Sequence, residues 1–205
     1  MKNLRKAYYD IFSRIYDYFV KLHSSDKSGK LRSWLIEKAG LKPGTKVLDL
    51  CTGTGEVALR AYKKIEDGIV VGIDFSEGML KKAKEKSSDI VWIKADAVFL
   101  PFRENCFDVV FCAYAFYELK DREKIQMLKE VKRVLTDRGR LIIMEHEEPK
   151  NPFLRFLYRI RLATMGSWNS RKFIENELKI LCSIFEKVKK EISPSGNSKI
   201  FICSL

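Results

Sequence analysis

Histidine is scarce. The 205-residue chain has two, His23 and His146, which argues against a histidine-rich metal centre. Its five cysteines, Cys51, Cys106, Cys112, Cys182 and Cys203, form no C-x-x-C and no metal-ligand spacing. Most stand in apolar surroundings, so they read as buried thiols of a reducing, cytoplasmic compartment. No apolar run approaches the roughly 18 residues that span a bilayer, and the opening MKNLRKAYYD lacks the apolar block of a secretion signal. Internal repeats, low-complexity tracts and long linkers are absent, so residues 1–205 are expected to form one domain. With 46% hydrophobic and 32% charged residues, the chain has the composition of a globular protein with a sizeable core.

What is abundant is positive charge, +12 net, and it is unevenly placed. Residues 1–33 hold eight Lys/Arg against three Asp/Glu, and residues 150–205 hold eleven against four. Residues 34–149 hold twenty of each, so the excess lies wholly in the two ends. A neutral centre with basic flanks suits a ligand-binding core beside a partner-facing surface. The plainer alternative is a solvated lysine-rich surface.

Five apolar runs alternate with helical patterns: 46–51 (KVLDLC), 69–74 (IVVGID), 90–95 (IVWIKA), 107–113 (FDVVFCA) and 140–145 (RLIIME). Helices are predicted near 55–66, 76–86 and 121–135. Continuous apolar strands separated by helices imply a parallel sheet covered on both faces. Pro43-Gly44 marks a turn into the first strand, and Asp137-Arg138-Gly139 a turn into the fifth. Residues 171–185 read as a helix, and 186–192 and 199–204 as a hairpin around Ser193-Pro194-Ser195-Gly196-Asn197-Ser198. The expected fold is a doubly wound α/β sheet of seven strands, mostly parallel, closed by an antiparallel C-terminal hairpin. Within it we distinguish an N-terminal helical cap (1–40, with a Tyr/Phe-rich helix over 3–22), a cofactor-binding core (41–149), a substrate lid (150–170) and a last helix with the hairpin (171–205).

The strongest local signal is Val47-Leu48-Asp49-Leu50-Cys51-Thr52-Gly53-Thr54-Gly55-Glu56, a strand running through a glycine loop into a helix. Glycines let backbone N–H groups approach a ligand, and the helix N-terminus adds a positive field. Alone the loop is ambiguous, because Gly53-x-Gly55-x-x-Ala58, with Asp74 about 20 residues on, also fits a dinucleotide fingerprint. Asp49 separates the two readings by sign. A carboxylate at the mouth of the loop repels a diphosphate and suits a ligand bearing an ammonium and a sulfonium, as S-adenosylmethionine does. At about 4 Å and an effective dielectric near 20, one such contact is worth about 4 kcal/mol before desolvation.

Other strand ends add compatible groups. Asp74, in Gly72-Ile73-Asp74-Phe75-Ser76, can accept two ribose hydroxyls, and Ser76 reads as the next helix's N-cap. Met79 and Leu80 can cover an adenine face, although core packing explains Met79 equally well. Asp96 can accept from an adenine amino group, with the Ala97 N–H nearby. Ala113-Tyr114-Ala115-Phe116-Tyr117-Glu118 places aromatics at the carboxyl edge of the sheet.

Together, VLDLCTGTGEVAL, GIDFSEGML, KADAVFLPF, FDVVFCAYAFYEL and KRVLTDRGRLIIMEHEEP resemble, in order and spacing, the successive motifs of class I methyltransferases. The resemblance covers about 46–149 and extends to the hairpin. It implies an S-adenosylmethionine site, with Asp49, Cys51, Gly53 and Gly55 bordering the methionyl part. Asp74 would serve the ribose, Met79, Asp96 and Ala97 the adenine, and Phe75 and Ala113 would also belong to the cofactor site. Cys51 stands where the family's commonest loop has its first glycine. Within the class, Tyr16-Asp17, Leu31-Arg32-Ser33-Trp34 and MEHEEPKNPFLRFLYRIRLATMG resemble the ubiquinone/menaquinone biosynthesis C-methyltransferase family. That likeness implies that Tyr16 touches the cofactor carboxylate. It fails beyond Gly166, where segments that would shape the substrate pocket are short or absent. The Glu145-His146 pair and Gly166-x-x-Asn169-x-Arg171 look equally like phospholipid or other small-molecule methyltransferases.

Methyl transfer from a sulfonium is an in-line displacement that depends on alignment. A phenol or ring carbon must also lose a proton, whereas an amine needs little base help. His146 and Tyr114 are the leading catalytic candidates, followed by Glu145, Glu118 and Tyr117. His146 titrates nearest neutrality, although a structural role after the fifth strand is its ordinary alternative. Phe153-Leu154-Arg155-Phe156-Leu157-Tyr158-Arg159-Ile160-Arg161 sets apolar positions at helical spacing among arginines. It suits a lipid-like acceptor such as a quinone precursor, or docking on an anionic membrane surface. A lid helix with solvated arginines is the other reading. The charge also leaves an RNA acceptor as an alternative, though no RNA-binding appendage is present.

Overall fold

β-branched and aromatic runs that are apolar at every position form strands buried on both faces. In the computed structural model, which describes residues 8–10, 13, 16, 18, 26, 29–148 and 177–205, the five apolar runs and the C-terminal hairpin build one seven-stranded sheet. The strands are β1 (Lys46–Leu50), β2 (Ile69–Asp74), β3 (Val91–Lys94), β4 (Phe107–Ala113), β5 (Leu135–His146), β6 (Lys187–Ile192) and β7 (Ser198–Ser204). Their order is β3-β2-β1-β4-β5-β7-β6. The first five are parallel, and β7 pairs antiparallel with both β5 and β6. This is the expected architecture, and the order reverses between β1 and β4, where doubly wound folds place their ligands.

Helices α1 (Lys30–Ala39), α2 (Glu56–Tyr62), α3 (Glu77–Lys86) and α4 (Asp121–Val134) are described, with residues 177–182 also helical. Successive strand residues alternate between two cores. Leu48, Val110, Cys112 and Ile143 pack with Met127, Leu128 and Val131 of α4. Val47, Val109, Phe111 and Ile142 pack with Leu35 of α1 and Ala58 and Ala61 of α2. Arg140 Nη2 donates to Ala39 O at 2.7 Å, tying β5 to the end of α1.

Two local expectations change. Helix α2 ends at Tyr62 rather than near residue 66. Asp137-Arg138-Gly139 is not a turn ahead of β5 but an irregularity inside it. The register with β4 jumps from Phe107↔Leu135 to Val109↔Arg140, so three extra residues bulge out of the ladder. β6 forms an edge whose Lys187, Lys189 and Lys190 discourage further strand pairing. The predicted lid (150–170), the Phe153–Arg161 stripe, Gly166, Asn169, Arg171 and most of the 3–22 helix lie outside the described residues.

Candidate active site

The loop after β1 holds three left-handed residues in five: Cys51 (φ 52°), Gly53 (φ 54°) and Gly55 (φ 85°). A Cβ on Gly55 would stand 2.5 Å from the Trp92 ring, so glycine is needed there for space as well as for conformation. Cys51 takes a left-handed conformation that glycine adopts freely, which explains why glycine is the commoner residue at that place.

Asp49 lies beneath this loop. Its Oδ2 accepts from Thr52 Oγ1 at 2.5 Å and from Ala58 N at 3.1 Å, joining the loop to the first turn of α2. It is 1% exposed, and burial pushes its carboxyl up to about 7. Asp74 ties the same loop to the next one, accepting from Gly53 N at 2.9 Å and Ser76 N at 2.8 Å. Burial pushes it up to about 6. Ser76 caps α3 as expected, accepting from Met79 N at 3.2 Å.

An open cavity sits over these loops. Its wall includes Tyr16, Cys51, Gly53, Asp74, Phe75, Met79, Ala113 and Tyr114 from the sequence-predicted set. Asp49, Gly55, Asp96, Ala97 and His146 are not on the wall. Asp49 acts from behind the loop rather than at its mouth. Asp96 accepts from Val98 N at 3.1 Å in a tight turn, and Ala97 packs into the core. The His146 ring stacks on Tyr114, with centroids 4.7 Å apart.

Tyr114 is held from several sides. It has φ 54°, its hydroxyl pairs with Ser198 Oγ at 2.9 Å, and the Arg32 guanidinium lies 5.6 Å from its ring centroid. Burial pushes its phenol up to about 12, which makes it a poor base near neutrality.

The sequence reading missed Tyr9, Asp10 and Ala115. Tyr9, Ala115 and Glu118 complete the wall. Asp10 Oδ1 accepts from Ser76 Oγ at 2.6 Å and Gly78 N at 3.0 Å, docking the leading segment on the start of α3. Tyr9 lies edge-on to Phe75 at 5.8 Å and donates to Glu118 Oε1 at 2.6 Å. The clustering of Tyr and Phe in the opening residues was the only signal for these contacts.

A site whose wall carries two carboxylates, Asp74 and Glu118, and no Lys or Arg among the described residues suits a cationic ligand and opposes a diphosphate. A family model described as the ubiE/COQ5 methyltransferase family matches residues 2–172. The chain belongs to this family. It is 34% identical over 162 residues to a 2-phytyl-1,4-naphtoquinone methyltransferase of Nostoc punctiforme, covering 74% of this chain and 70% of that protein. It is also 34% identical over 152 residues to a demethylmenaquinone methyltransferase of Staphylococcus aureus, covering 72% of this chain and 62% of that protein. Among solved structures, a SAM-dependent methyltransferase from Aquifex aeolicus shares the fold, with a TM-score of 0.59 and 21% identity over 84% of this chain and 88% of that one. As a ubiE/COQ5 family member, the chain is an S-adenosylmethionine-dependent methyltransferase. The family likeness expected from the motifs is therefore confirmed.

Proposed function

We propose that this ubiE/COQ5 member methylates a neutral aromatic diol, a reduced quinone precursor bearing an apolar tail. The observation that carries the reading is the composition of the cavity wall: two carboxylates, three tyrosines and no described cation. A negative wall beside a sulfonium favours the cationic methyl donor. It leaves no described partner for a phosphate or carboxylate on the acceptor, while phenol groups give a hydroxylated ring aromatic and hydrogen-bonding neighbours. The named activities of the curated relatives, on a phytyl-naphthoquinone and on demethylmenaquinone, point to the same acceptor class.

In this reading, Cys51, Gly53 and Gly55 shape the loop around the methionyl part of S-adenosylmethionine, with Asp49 setting the field from behind. Asp74 accepts the ribose hydroxyls, Phe75 and Met79 flank the adenine, and Tyr16 and Ala113 line the approach to the sulfur. The cofactor supplies an electrophilic methyl group, and the residues here orient it. Incubating the protein with S-adenosylmethionine and a chemically reduced 1,4-naphthoquinone carrying a short isoprenoid chain should yield the ring-methylated product by mass spectrometry. Failure with such quinols, alongside methylation of an amine, a phospholipid or an RNA, would overturn the acceptor assignment.

A further inference from the structure

We propose that Glu118 is the base that takes the hydroxyl proton of the acceptor, with Tyr9 and Tyr117 as the positioning residues of its carboxylate. The inference rests on the quinol reading above and deepens it.

Glu118 closes the 3₁₀ turn Phe116–Glu118 that follows β4, at the carboxyl edge of the sheet, and it stands on the cavity wall. Its Oε1 accepts the Tyr9 hydroxyl at 2.6 Å and the Tyr117 hydroxyl at 3.3 Å. A carboxylate that already accepts two phenolic O–H groups is chemically matched to a third, that of an aromatic diol. The other acids and phenols around the site are weaker candidates. Burial, reinforced by the charge of Glu118, pushes the phenols of Tyr9 and Tyr117 well above their usual range, so both remain donors. Asp74 has each carboxylate oxygen engaged by a backbone N–H. Glu145 is buried off the wall and accepts from Tyr117 N at 3.3 Å. The groups facing Glu118 are Tyr9 from the leading segment, Asp74 from the end of β2, Tyr117 from its own turn and Glu145 from β5, with Tyr16 on the same cavity wall.

The acceptor O–H bond breaks, its proton passes to the Glu118 carboxylate, and the electron pair left on oxygen enriches the adjacent ring carbon. That carbon forms the new bond to the methyl group as the S–CH₃ bond breaks, its pair remaining on sulfur as a neutral thioether. The methylated carbon then loses its own proton to water, and Glu118 returns its proton to the oxygen. One proton is released per turnover.

The test is Glu118→Gln in the full chain, assayed with the reduced isoprenoid naphthoquinone across pH and with S-adenosylhomocysteine binding measured in parallel. We expect kcat to fall by about 10²- to 10⁴-fold while S-adenosylhomocysteine affinity changes by less than about threefold. The residual rate should climb about tenfold per pH unit toward the acceptor's own ionisation, and formate should restore part of the activity of Glu118→Ala. Should Glu118→Gln not fold, Tyr117→Phe serves instead. Losing a donor to the carboxylate makes it more basic, so the acidic limb of the rate profile should move upward. Wild-type kcat and an unchanged pH profile in Glu118→Gln, or an unmoved limb in Tyr117→Phe, would overturn the base assignment alone. A wild-type protein that binds S-adenosylhomocysteine but methylates no quinol would overturn the acceptor reading and this inference together.

Discussion

At the scale of single residues, the site is governed by the burial of acids. Asp49 has a folded-state value of about 7 against roughly 3.9 for an unfolded aspartate. The fold therefore prefers its protonated form. That contribution to stability is fully present below about pH 4 and is lost as pH rises through about 7. A rise from roughly 3.9 to about 7 is worth about 4 kcal/mol. Asp49→Asn should make the ligand-free protein's loss of stability between pH 4.5 and 8 shallower, as read by urea or thermal melts. Parallel wild-type and variant curves would contradict the assignment. The wild-type residue is kept because Asp49 binds Thr52 and Ala58 and supplies negative charge when the cationic donor arrives.

At the scale of elements, the leading segment and α3 act as a unit. A Cβ on Gly78 would lie 2.6 Å from Ser13 Oγ, 2.7 Å from Asp10 O and 2.9 Å from Asp10 Cα, so any larger residue pushes the segment away. Gly78→Ala should weaken S-adenosylhomocysteine binding about tenfold or more in calorimetry. Core stability should shift by no more than about 1 kcal/mol, because alanine is the better helix former. Undiminished affinity would show that the segment does not belong to the site. This is also where the sequence ceased to be legible. Strands β1 to β5 announce themselves by apolar runs, and Cys51, Gly53 and Asp74 by their place at strand ends, because local pattern and burial coincide there. The docking of Asp10 on Ser76 and Gly78 joins residues 66 and 68 apart through one hydrogen bond each, which leave no periodic trace. The bulge at 137–139 looks like an ordinary turn because a D-R-G run serves both. The position of Asp49 behind the loop, and of His146 behind Tyr114, depends on side-chain direction, which spacing does not encode.

At the scale of the whole molecule, a strongly basic chain carries an acidic cavity where its strand order reverses between β1 and β4. Lys199 of β7 is buried and bonded at 2.5 Å to Glu177 of the helical stretch ahead of β6, so this buried cation carries its own counter-charge. The described wall of the cavity carries the carboxylates of Asp74 and Glu118 and no Lys or Arg, and this separates a sulfonium cofactor from a dinucleotide on electrostatic grounds. The direct measurement is calorimetry of S-adenosylmethionine, S-adenosylhomocysteine and NAD between pH 5.5 and 8. Both sulfur ligands should bind, more tightly as Asp74 and Asp49 ionise through about 6 and about 7, with the steeper rise for the sulfonium, and NAD should not bind. Binding of NAD, or a sulfonium affinity that ignores pH over this range, would contradict it.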